Sequence, residues 1–372
     1  MRRLGIDARK LADFGIGSYL QGLLGELVVL AEESDVVVLV AAESRDLLPE
    51  LPERWRLVEV EAPGYTVWEQ MAVPLAAVRA GVKVLHVPHY VIPLLYPGRI
   101  VVTIHDIIHV LFPEFLRHAL GFAYARFLIR AAVRRSSRVV AVSRTTADDL
   151  RRLFGANEAR LRVIPNGINE EFFAPGDPAV DEALRDRLGV RQPYLLHVGN
   201  HKPHKNVEGV LKAYQILVHG GLAAPPPLVL AGGFAPDGEL AQRAAGMGLA
   251  ERVHCLGHLE RRELAALFRG AAVFVYPTLY EGFGLPVLEA MACGAPVVAG
   301  DVAAVREVAG DGVLRVNPRD VVELAGALRR LLDQPDLCGQ LGARGREAAS
   351  RYRWRLAAEA TLAEYRAVQL EA

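Results

Sequence analysis

The sequence predicts an α/β protein built from two doubly wound, Rossmann-like domains. Short runs rich in β-branched residues alternate with longer segments of helical periodicity, which is the pattern of parallel strands joined by crossover helices. The chain has 372 residues, which is more than one hydrophobic core usually organises. A turn-rich, aperiodic segment at 165–178 divides the alternation into two series, so we expect two domains of ordinary size.

Six strands are predicted on each side of that segment. The first series occupies 4–8, 36–40, 84–87, 100–104, 138–142 and 162–164. The second occupies 194–198, 228–231, 252–256, 273–276, 296–299 and 313–316. We therefore expect an N-terminal domain over 1–170 and a C-terminal domain over 171–353. The last residues, 354–372, have the apolar spacing of a helix with one buried face, which packs either on the second domain or back on the first.

Composition excludes several classes of protein. The 43 basic and 43 acidic residues balance, so nucleic-acid binding is not expected. The three cysteines form no CxxC pair and indicate neither a disulfide framework nor a thiolate zinc site. The N-terminal residues lack the apolar core of a signal peptide, and no run of about 18 apolar residues occurs. We expect a cytoplasmic protein, with any membrane contact at the inner surface.

The most informative segment runs from Tyr276 to Gly294, where a strand leads into a glycine loop and then a helix. The helix is predicted to begin near Pro286, because the missing N–H of proline is harmless at the first helical position. The amides that start this helix, together with its positive dipole end, would attract a diphosphate. The loop residues predicted to line this phosphate site are Gly282, Phe283, Gly284 and Leu285.

Two glutamates flank the same loop. Glu281 lies within it and Glu289 in the first turns of the helix, so both carboxylates are placed to face a ligand held by the amides. A carboxylate that accepts from two vicinal hydroxyls suits a ribose or a sugar ring. For either glutamate alone, a solvated loop carboxylate or a carboxylate favoured by the helix dipole is an equally good interpretation.

A second loop follows the first strand of the C-terminal domain. The helix after it is predicted to start at about Asn206, so Lys205 is placed to reach a phosphate outside the strand ends. A plain surface lysine is the usual alternative. Only five lysines occur in the chain, and two of them, Lys202 and Lys205, lie in this loop, which favours a functional role.

These two segments carry a family resemblance. The Glu281 to Glu289 spacing in Glu-Gly-Phe-Gly-Leu-Pro-Val-Leu-Glu, with Val-Gly-Asn-His-Lys-Pro-His-Lys-Asn upstream, resembles the retaining glycosyltransferase family 4. Weaker agreement covers nearly the whole chain. The resemblance implies the GT-B fold, in which two Rossmann-like domains face each other across a cleft.

The resemblance also implies roles for individual residues. Glu281 is expected to contact the transferred sugar, Glu289 the ribose of the nucleotide, and Lys205 the diphosphate, with the loop amides supporting sugar and phosphate. Many members of the family have an arginine where this chain has Asn200. That departure leaves open whether Lys202 or His201 supplies a second positive contact to the donor.

In the first domain, Gly15-Ile16-Gly17 follows the first strand and opens a helix. Such a glycine turn lets the backbone approach a phosphate or an acceptor. Leu20 occupies the third glycine position of a dinucleotide fingerprint, which disfavours a nicotinamide site. The resemblance places Gly17 in the first-domain glycine loop, across the cleft from the donor.

His105 ends a buried strand, and ligands collect at the strand ends of α/β sheets. The resemblance implies that this histidine contacts the donor sugar near the reacting carbon. The alternative is a histidine fixed structurally by Asp106, which we interpret as orienting the ring rather than as an acid. The predicted catalytic set is His105, Lys205 and Glu281.

Neither a metal nor another cofactor is expected. Histidines 86 and 89, and 201 and 204, have HxxH spacing, but no carboxylate or cysteine cluster completes a site. The Asp-x-Asp motif, which binds the diphosphate-associated metal in the other major glycosyltransferase fold, does not occur. The charge of a leaving diphosphate is then met by Lys205 and by helix-terminal amides.

An arginine-rich segment at 115–147 contains no Asp or Glu. Arg126, Arg130 and Arg134 share one helical face within it. This pattern predicts either a membrane-surface helix or a binding site for an anionic, lipid-linked acceptor. An ordinary outer helix face in an arginine-rich protein is the alternative.

The preferred function is transfer of a hexose from GDP-mannose or a UDP-hexose to an acceptor hydroxyl of a lipid-linked or cell-surface glycan precursor. Same-face attack, without metal, is the expected mechanism. A sugar-nucleotide epimerase of similar fold is the first alternative, and a non-catalytic sugar-binding subunit is the second. The Lys205, Glu281 and Glu289 set counts against the latter, because plain sugar binding does not require neutralisation of a diphosphate.

Overall fold

A computed structural model of the protein describes residues 3–64, 66–115, 119–220 and 224–371. The chain divides into two compact units. Unit 1 comprises Met1–Gly167 and Tyr352–Ala372, and unit 2 comprises Ile168–Arg351. Each unit has one parallel sheet of its own.

The sheet of unit 1 has seven strands in the order β3-β2-β1-β4-β5-β6-β7, and every neighbouring pair is parallel. The strands are β1 (Leu4–Asp7), β2 (Val36–Val40), β3 (Trp55–Glu59), β4 (Val84–Val87), β5 (Arg99–Ile104), β6 (Arg138–Ala141) and β7 (Leu161–Val163). The helices between them are α1 (Phe14–Leu30), α2 (Glu69–Arg79), α3 (Ile108–Leu111), α4 (Ala119–Arg135) and α5 (Arg144–Phe154). One face of the sheet packs against α2, α4 and α5, and the other against α1.

The sheet of unit 2 has six parallel strands in the order β10-β9-β8-β11-β12-β13. The strands are β8 (Leu195–Asn200), β9 (Leu228–Gly233), β10 (Val253–Cys255), β11 (Val273–Tyr276), β12 (Val297–Gly300) and β13 (Leu314–Val316). The helices are α6 (Glu170–Phe173), α7 (Pro178–Arg187), α8 (Val207–His219), α9 (Glu239–Gly246), α10 (Arg261–Gly270), α11 (Leu285–Ala292), α12 (Ala303–Ala309), α13 (Val321–Asp333) and α14 (Pro335–Ala349). In both sheets all strand carboxyl ends lie at one edge, where the strand-to-helix loops present side chains.

The last helix, α15 (Trp354–Leu370), returns to unit 1 and packs beside α1 on the same sheet face. The indole of Trp354 fills the space over Gly22, where a Cβ atom would lie 2.1 Å from the ring. Further along the helix, Glu364 accepts hydrogen bonds from Arg138 and Arg162 at 2.8 and 3.1 Å. Of the two positions that the sequence left open for this helix, the structure shows packing on the first unit.

All twelve predicted strands are present, with ends within two residues of the predicted ones. The prediction missed β3, an edge strand in which only Trp55 is buried. Its Arg56 and Glu59 mask the pattern of a half-buried strand. The strand β8 runs two residues further than predicted, because Gly199 and Asn200 pair with Gly232 and Gly233 of β9 instead of forming a turn.

Candidate functional site

A buried ion pair lies at the carboxyl ends of β8 and β11, which are neighbours in the sheet of unit 2. Lys205 ends the short 3₁₀ turn Pro203–Lys205 after β8, and Glu281 lies in the loop after β11. Lys205 Nζ is 2.7 Å from Glu281 Oε1, and the two side chains are only 14% and 11% exposed. The structure therefore brings together two of the predicted site residues that are far apart in sequence.

Two further side chains, which sequence reasoning did not single out, complete this cluster. The hydroxyl of Tyr276 accepts a hydrogen bond from Lys205 Nζ at 2.6 Å and donates to Glu281 Oε1 at 2.8 Å. Thr278 Oγ1 lies 2.9 Å from the same carboxylate oxygen. Their positions in the sequence could have indicated them, because Tyr276 is the last residue of β11 and Thr278 is the second residue of the loop that follows.

The cluster fixes the charge of its members. Burial raises the pKa of Glu281, but the charge and hydrogen bond of Lys205 and the hydrogen bond of Tyr276 outweigh it, so the pKa of Glu281 lies below its usual value. Burial, together with the neighbouring Glu281 carboxylate, raises the pKa of Tyr276 well above normal. At neutral pH the cluster thus holds a carboxylate and a neutral phenol around the lysine ammonium.

The helix α11 begins at Leu285 directly after the glycine loop. Gly284 adopts φ 103°, a conformation that L side chains rarely adopt, so this turn requires glycine. The amides of Val287 and Leu288 already bond to the Gly284 carbonyl, at 3.1 and 3.3 Å. The earlier amides of a helix have no partner within it, and they point out of the N-terminus as an anion site.

Glu289 is the fifth residue of α11 and is half-buried. Burial raises its pKa to about 8, and the charge of Arg261 opposes this only partly. The carboxyl is therefore protonated at neutral pH and has one O–H donor and an acceptor oxygen. In its ionised form, above that pKa, Glu289 also helps to raise the pKa of Tyr276, which places it near the cluster.

The end of β8 carries two polar atoms that are buried and have no hydrogen-bond partner in the described part of the chain, Asn200 Oδ1 and His197 Nε2. His197 Nδ1 lies 2.8 Å from the Val275 carbonyl, which only accepts, so Nδ1 carries the proton and Nε2 is a bare acceptor. Burial first, and then the charge of Lys205, lower the pKa of His197 to about 4. His197 was also absent from the predicted site.

The two candidates for a second positive contact differ in their surroundings. His201 lies 3.8 Å from carboxylate oxygens of both Glu208 and Glu239. Lys202 is exposed at the start of the 3₁₀ turn. The histidine is therefore surrounded by acidic groups of unit 2, whereas the lysine extends from the loop into solvent.

Unit 1 holds the remaining predicted residues. His105 follows β5, and its Nε2 lies 3.1 Å from the Pro88 carbonyl. A carbonyl only accepts, so Nε2 carries the proton and Nδ1 is the acceptor. Burial lowers the pKa of His105 to about 4, against the opposing effect of Asp106. Asp106 Oδ1 accepts from the amide of Ile108 at 3.0 Å, at the start of α3, and the suggestion that Asp106 orients the ring of His105 stays a prediction.

Gly17 lies in the first turn of α1, in the helix that this glycine segment was predicted to open. A Cβ atom at this position would lie 2.3 Å from the Leu11 carbonyl oxygen. The absence of a side chain thus lets the helix start pack closely on the preceding backbone, which is a structural reason for glycine here.

The paired histidines have other partners. His86 bonds to Thr103 and Tyr365, and His89 Nδ1 accepts from the amide of Val91 at 3.2 Å. Across the described residues no group of three or more His, Cys, Asp or Glu side chains is arranged to hold a metal ion. Metal independence and the absence of a cofactor stay predictions.

Two family profiles match this chain, one over most of unit 2 and one over most of unit 1. A family profile described as "Glycosyl transferases group 1" matches residues 181–348. A second profile, "Glycosyltransferase Family 4", matches residues 15–172. The chain belongs to the group 1, family 4 glycosyltransferases. The resemblance read from the two glutamates and Lys205 is confirmed, and this glycosyltransferase carries the family's sequence pattern in both units.

Curated relatives support the same assignment. The glycosyltransferase is 29% identical over 286 residues to "O-antigen chain mannosyltransferase B" of Escherichia coli, covering 76% of this chain and 74% of that protein. It is 35% identical over 244 residues to a "D-inositol 3-phosphate glycosyltransferase" of Xylanimonas cellulosilytica, covering 62% and 57%. The second match thus spans less than two thirds of the relative's length.

Solved structures confirm the predicted GT-B fold class. Sucrose-phosphate synthase from Thermosynechococcus elongatus matches with a TM-score of 0.81 at 21% identity, covering 100% of both chains. HepE from Anabaena, solved in complex with UDP-glucose, matches with a TM-score of 0.76 at 19% identity, covering 98% of this chain and 99% of that one. At these identities the likeness shows the fold alone.

Proposed function

We propose that this glycosyltransferase transfers a hexose from a nucleotide sugar to an acceptor hydroxyl, with retention at the anomeric carbon and without a metal ion. The observation that carries the proposal is the Lys205–Glu281 pair, 2.7 Å apart, beside the N-terminus of α11. A cation and unpaired helix amides form a preorganised site for the negative charge that develops on a departing diphosphate.

In this proposal Lys205 and the amides of Gly284 and Leu285 hold the diphosphate, while Gly282 and Phe283 shape the loop around it. Glu281 neutralises Lys205 before the donor binds. Once phosphate oxygens take over the ammonium, Glu281 accepts from hydroxyls of the transferred sugar. Exposed Lys202 is the better candidate for a second positive contact, because His201 already lies between two carboxylates.

The polar atoms around the pair suit hydroxyls. The protonated carboxyl of Glu289 accepts from one ribose hydroxyl and donates to the other. The Oδ1 atom of Asn200, which has no hydrogen-bond partner in the described part of the chain, is a further acceptor for a hydroxyl or N–H group of the nucleotide sugar. In unit 1, Nδ1 of the neutral His105 accepts from a sugar hydroxyl near the reacting carbon, and Gly17 keeps the neighbouring helix start free of a side chain.

The proposed reaction breaks the donor C1–O bond with oxocarbenium character. The acceptor hydroxyl attacks the same face, and its proton passes to the departing phosphate oxygen. Glu281 suits this route as an electrostatic stabiliser, because Lys205 and Tyr276 both direct donors at Oε1 and its pKa is lowered, which weakens it as a nucleophile. Glycosidases instead place two carboxylates across the bond. Trapping of a covalent glycosyl group on Glu281 would refute this route.

The donor is proposed to be GDP-mannose or a UDP-hexose, with mannose preferred. One relative is named as a mannosyltransferase and a fold neighbour was solved with UDP-glucose, so both nucleotides need testing. The experiment is a thermal-shift screen of nucleotide sugars, followed by donor turnover with and without glycan or lipid-linked acceptors. An epimerase would convert the donor without acceptor, and a non-catalytic sugar-binding subunit would turn over nothing; either result contradicts transferase activity.

We propose that unit 1, as the acceptor-binding part of the protein, contacts the cytoplasmic surface of an anionic membrane. The helices α2 and α4 pack on the same sheet face of unit 1, through residues such as Val73 and Leu128. Residues 70–147 contain ten Arg and Lys but only Asp106 and Glu114 as acids. Arg117 of the predicted segment lies outside the described residues.

The outward faces of these two helices are both apolar and basic. On α2 and just before it, Trp68 and Met71 are each 53% exposed; on α4, Phe127 is 57% exposed. The exposed apolar residues of these segments are Val67, Trp68, Met71, Leu75, Val78, Leu95, Tyr124 and Phe127, and α4 also exposes Arg126, Arg130 and Arg134. Aromatic and apolar groups ringed by arginine fit a lipid headgroup layer. None of the helices in the described part of the chain is long and apolar enough to span a bilayer.

Vesicle cosedimentation tests this surface. Binding to phosphatidylglycerol–phosphatidylcholine vesicles should exceed binding to phosphatidylcholine alone and should fall with salt. The triple change Arg126→Gln, Arg130→Gln and Arg134→Gln should abolish it. A matched triple change of the exposed arginines Arg330, Arg344 and Arg366 should leave it intact. Equal losses for the two triple variants would show that net charge, not this face, drives binding.

A further inference from the structure

A ring of interactions in unit 1, made of four hydrogen bonds and closed by the backbone of α15 between Thr361 and Tyr365, is not used by the proposed reaction. Tyr365 of α15 lies 2.6 Å from His86 Nδ1, and His86 Nε2 lies 2.9 Å from Thr103 Oγ1. Thr103 Oγ1 lies 3.1 Å from the hydroxyl of Tyr19 in α1, and Tyr19 bonds to Thr361, again in α15. All five side chains are buried. The ring starts and ends on the C-terminal helix.

The direction of every hydrogen bond in the ring follows from one carbonyl. Thr361 Oγ1 lies 2.7 Å from the Ala357 carbonyl, which only accepts, so the single proton of Thr361 points there. Thr361 must therefore accept from Tyr19. The hydroxyl of Tyr19, having donated its proton, then accepts from Thr103.

The same logic fixes the histidine. Thr103 donates to Tyr19, so it must accept from His86, which places the proton on His86 Nε2. His86 Nδ1 is then a bare acceptor and receives the proton of Tyr365. Burial keeps His86 neutral by lowering its pKa to about 3, which this arrangement requires. Every donor has one acceptor, and each bond polarises the next.

The ring determines the position of Tyr19, and Tyr19 contacts His105. The phenol ring of Tyr19 and the imidazole of His105 meet edge to face, with centroids 4.8 Å apart. Trp354, the first residue of α15, meets the Tyr19 ring from another side at 5.9 Å. His105 has a second restraint, the bond from Nε2 to the Pro88 carbonyl, so its Nδ1 direction depends on these two neighbours.

We propose that Tyr19 is a positioning residue for His105, and that the C-terminal helix α15 holds Tyr19 in place through Thr361, Tyr365, His86 and Thr103. The proposal rests on the proposed contact between His105 and the donor sugar. In this arrangement α15, although it follows unit 2 in sequence, orients a side chain at the sheet of unit 1. A displacement of a reacting group by about 1 Å is enough to cost about a hundredfold in rate.

The test compares Thr361→Val, which deletes the acceptor for Tyr19 at nearly constant shape, with Thr361→Ser, which keeps the hydroxyl. Leu362→Ala is the matched control, because Leu362 is buried in the same helix but has no place in the ring. Tyr365→Phe removes the first donor of the ring and gives a second variant should Thr361→Val fail to fold.

Two readouts separate positioning from mere stability. We expect Thr361→Val and Tyr365→Phe to lower kcat about ten- to a hundredfold with little change in donor KM, Thr361→Ser to restore it, and Leu362→Ala to change melting temperature but not kcat. The imidazole ¹⁵N resonances of His105 should show the Nε2-protonated tautomer in the parent and in the Leu362→Ala and Thr361→Ser variants, and tautomer averaging in the other two.

Unchanged His105 resonances in Thr361→Val and Tyr365→Phe would overturn the proposal, and so would kcat losses no larger than that of Leu362→Ala. The spectroscopic arm is independent of turnover. If the parent protein transferred no sugar at all, the proposed function would fail while the resonances would still decide whether the ring positions His105.

Discussion

The replacement Glu281→Gln gives the sharpest test of the ion pair, because it should strengthen one property of the protein while it destroys another. Lys205 Nζ and Glu281 Oε1 are 2.7 Å apart, and at an effective dielectric constant of about 20 their gross attraction is about 6 kcal/mol. Removing one partner of such a buried pair costs about 3–5 kcal/mol. Since both side chains keep some solvent contact, we expect the lower end, about 3 kcal/mol.

Glutamine keeps an oxygen for the hydroxyl of Tyr276 but removes the charge that competes with a diphosphate for Lys205. Nucleoside diphosphate binding should therefore tighten about tenfold, which is about 1.4 kcal/mol. Sugar transfer should nevertheless fall by about two orders of magnitude, since the charge facing the sugar is lost. Lys205→Met should weaken both, and the double variant should recover much of the stability lost by either single change.

Isothermal titration with GDP and UDP, urea denaturation and transfer assays on the four proteins measure these quantities. The parent and the double variant serve as references for charge balance. Weaker diphosphate binding in Glu281→Gln than in the parent would refute the view that Glu281 competes with the donor for the ammonium of Lys205.

Three further predictions concern the same unit. Replacing Glu289 with Ala should weaken binding of the nucleoside diphosphate itself about tenfold by titration, through loss of the ribose contacts, and an effect confined to transfer would contradict this role. Because the folded-state pKa of Glu289 is raised from 4.5 to about 8, its contribution to stability is fully present below pH 4.5 and is lost as pH rises through 8. The free energy of unfolding of the parent should therefore fall between these two pH values relative to that of the Glu289→Gln variant. Parallel curves of unfolding free energy against pH for the two proteins would contradict this prediction. Tyr276→Phe should lower kcat about tenfold and unfolding free energy by about 1 kcal/mol, with neutral kinetics as the opposing result.

Much of the fold could be predicted because local hydrophobic patterns in the sequence indicate the strands and helices. Buried parallel strands have the form of short apolar runs, as in β2 and β11. An exception, β3, lies at the sheet edge and carries charges, so its pattern resembles a loop. The extension of β8 through Gly199 and Asn200 was hidden for a different reason, since glycine beside asparagine is typical of turns.

The candidate site could be predicted for those residues whose position along the chain indicates their role. Lys205, Glu281 and Glu289 each sit next to a strand end or a helix start, and their roles follow from those positions. Tyr276 and His197 were missed because strand alternation alone predicts core positions for them. Only the pairing of β8 with β11 shows that the phenol reaches the lysine. Adjacency in sequence likewise did not reveal that the carboxylate of Asp106 accepts from the amide of Ile108 at the start of the next helix.

The most direct measurement is a crystal structure of the protein with bound UDP or GDP, determined for whichever nucleotide binds more tightly. We expect the terminal phosphate within hydrogen-bond distance of Lys205 Nζ and of the amides of Gly284 and Leu285, with the ribose on Glu289. A nucleotide bound elsewhere, with Lys205 still fully engaged by Glu281, would contradict it.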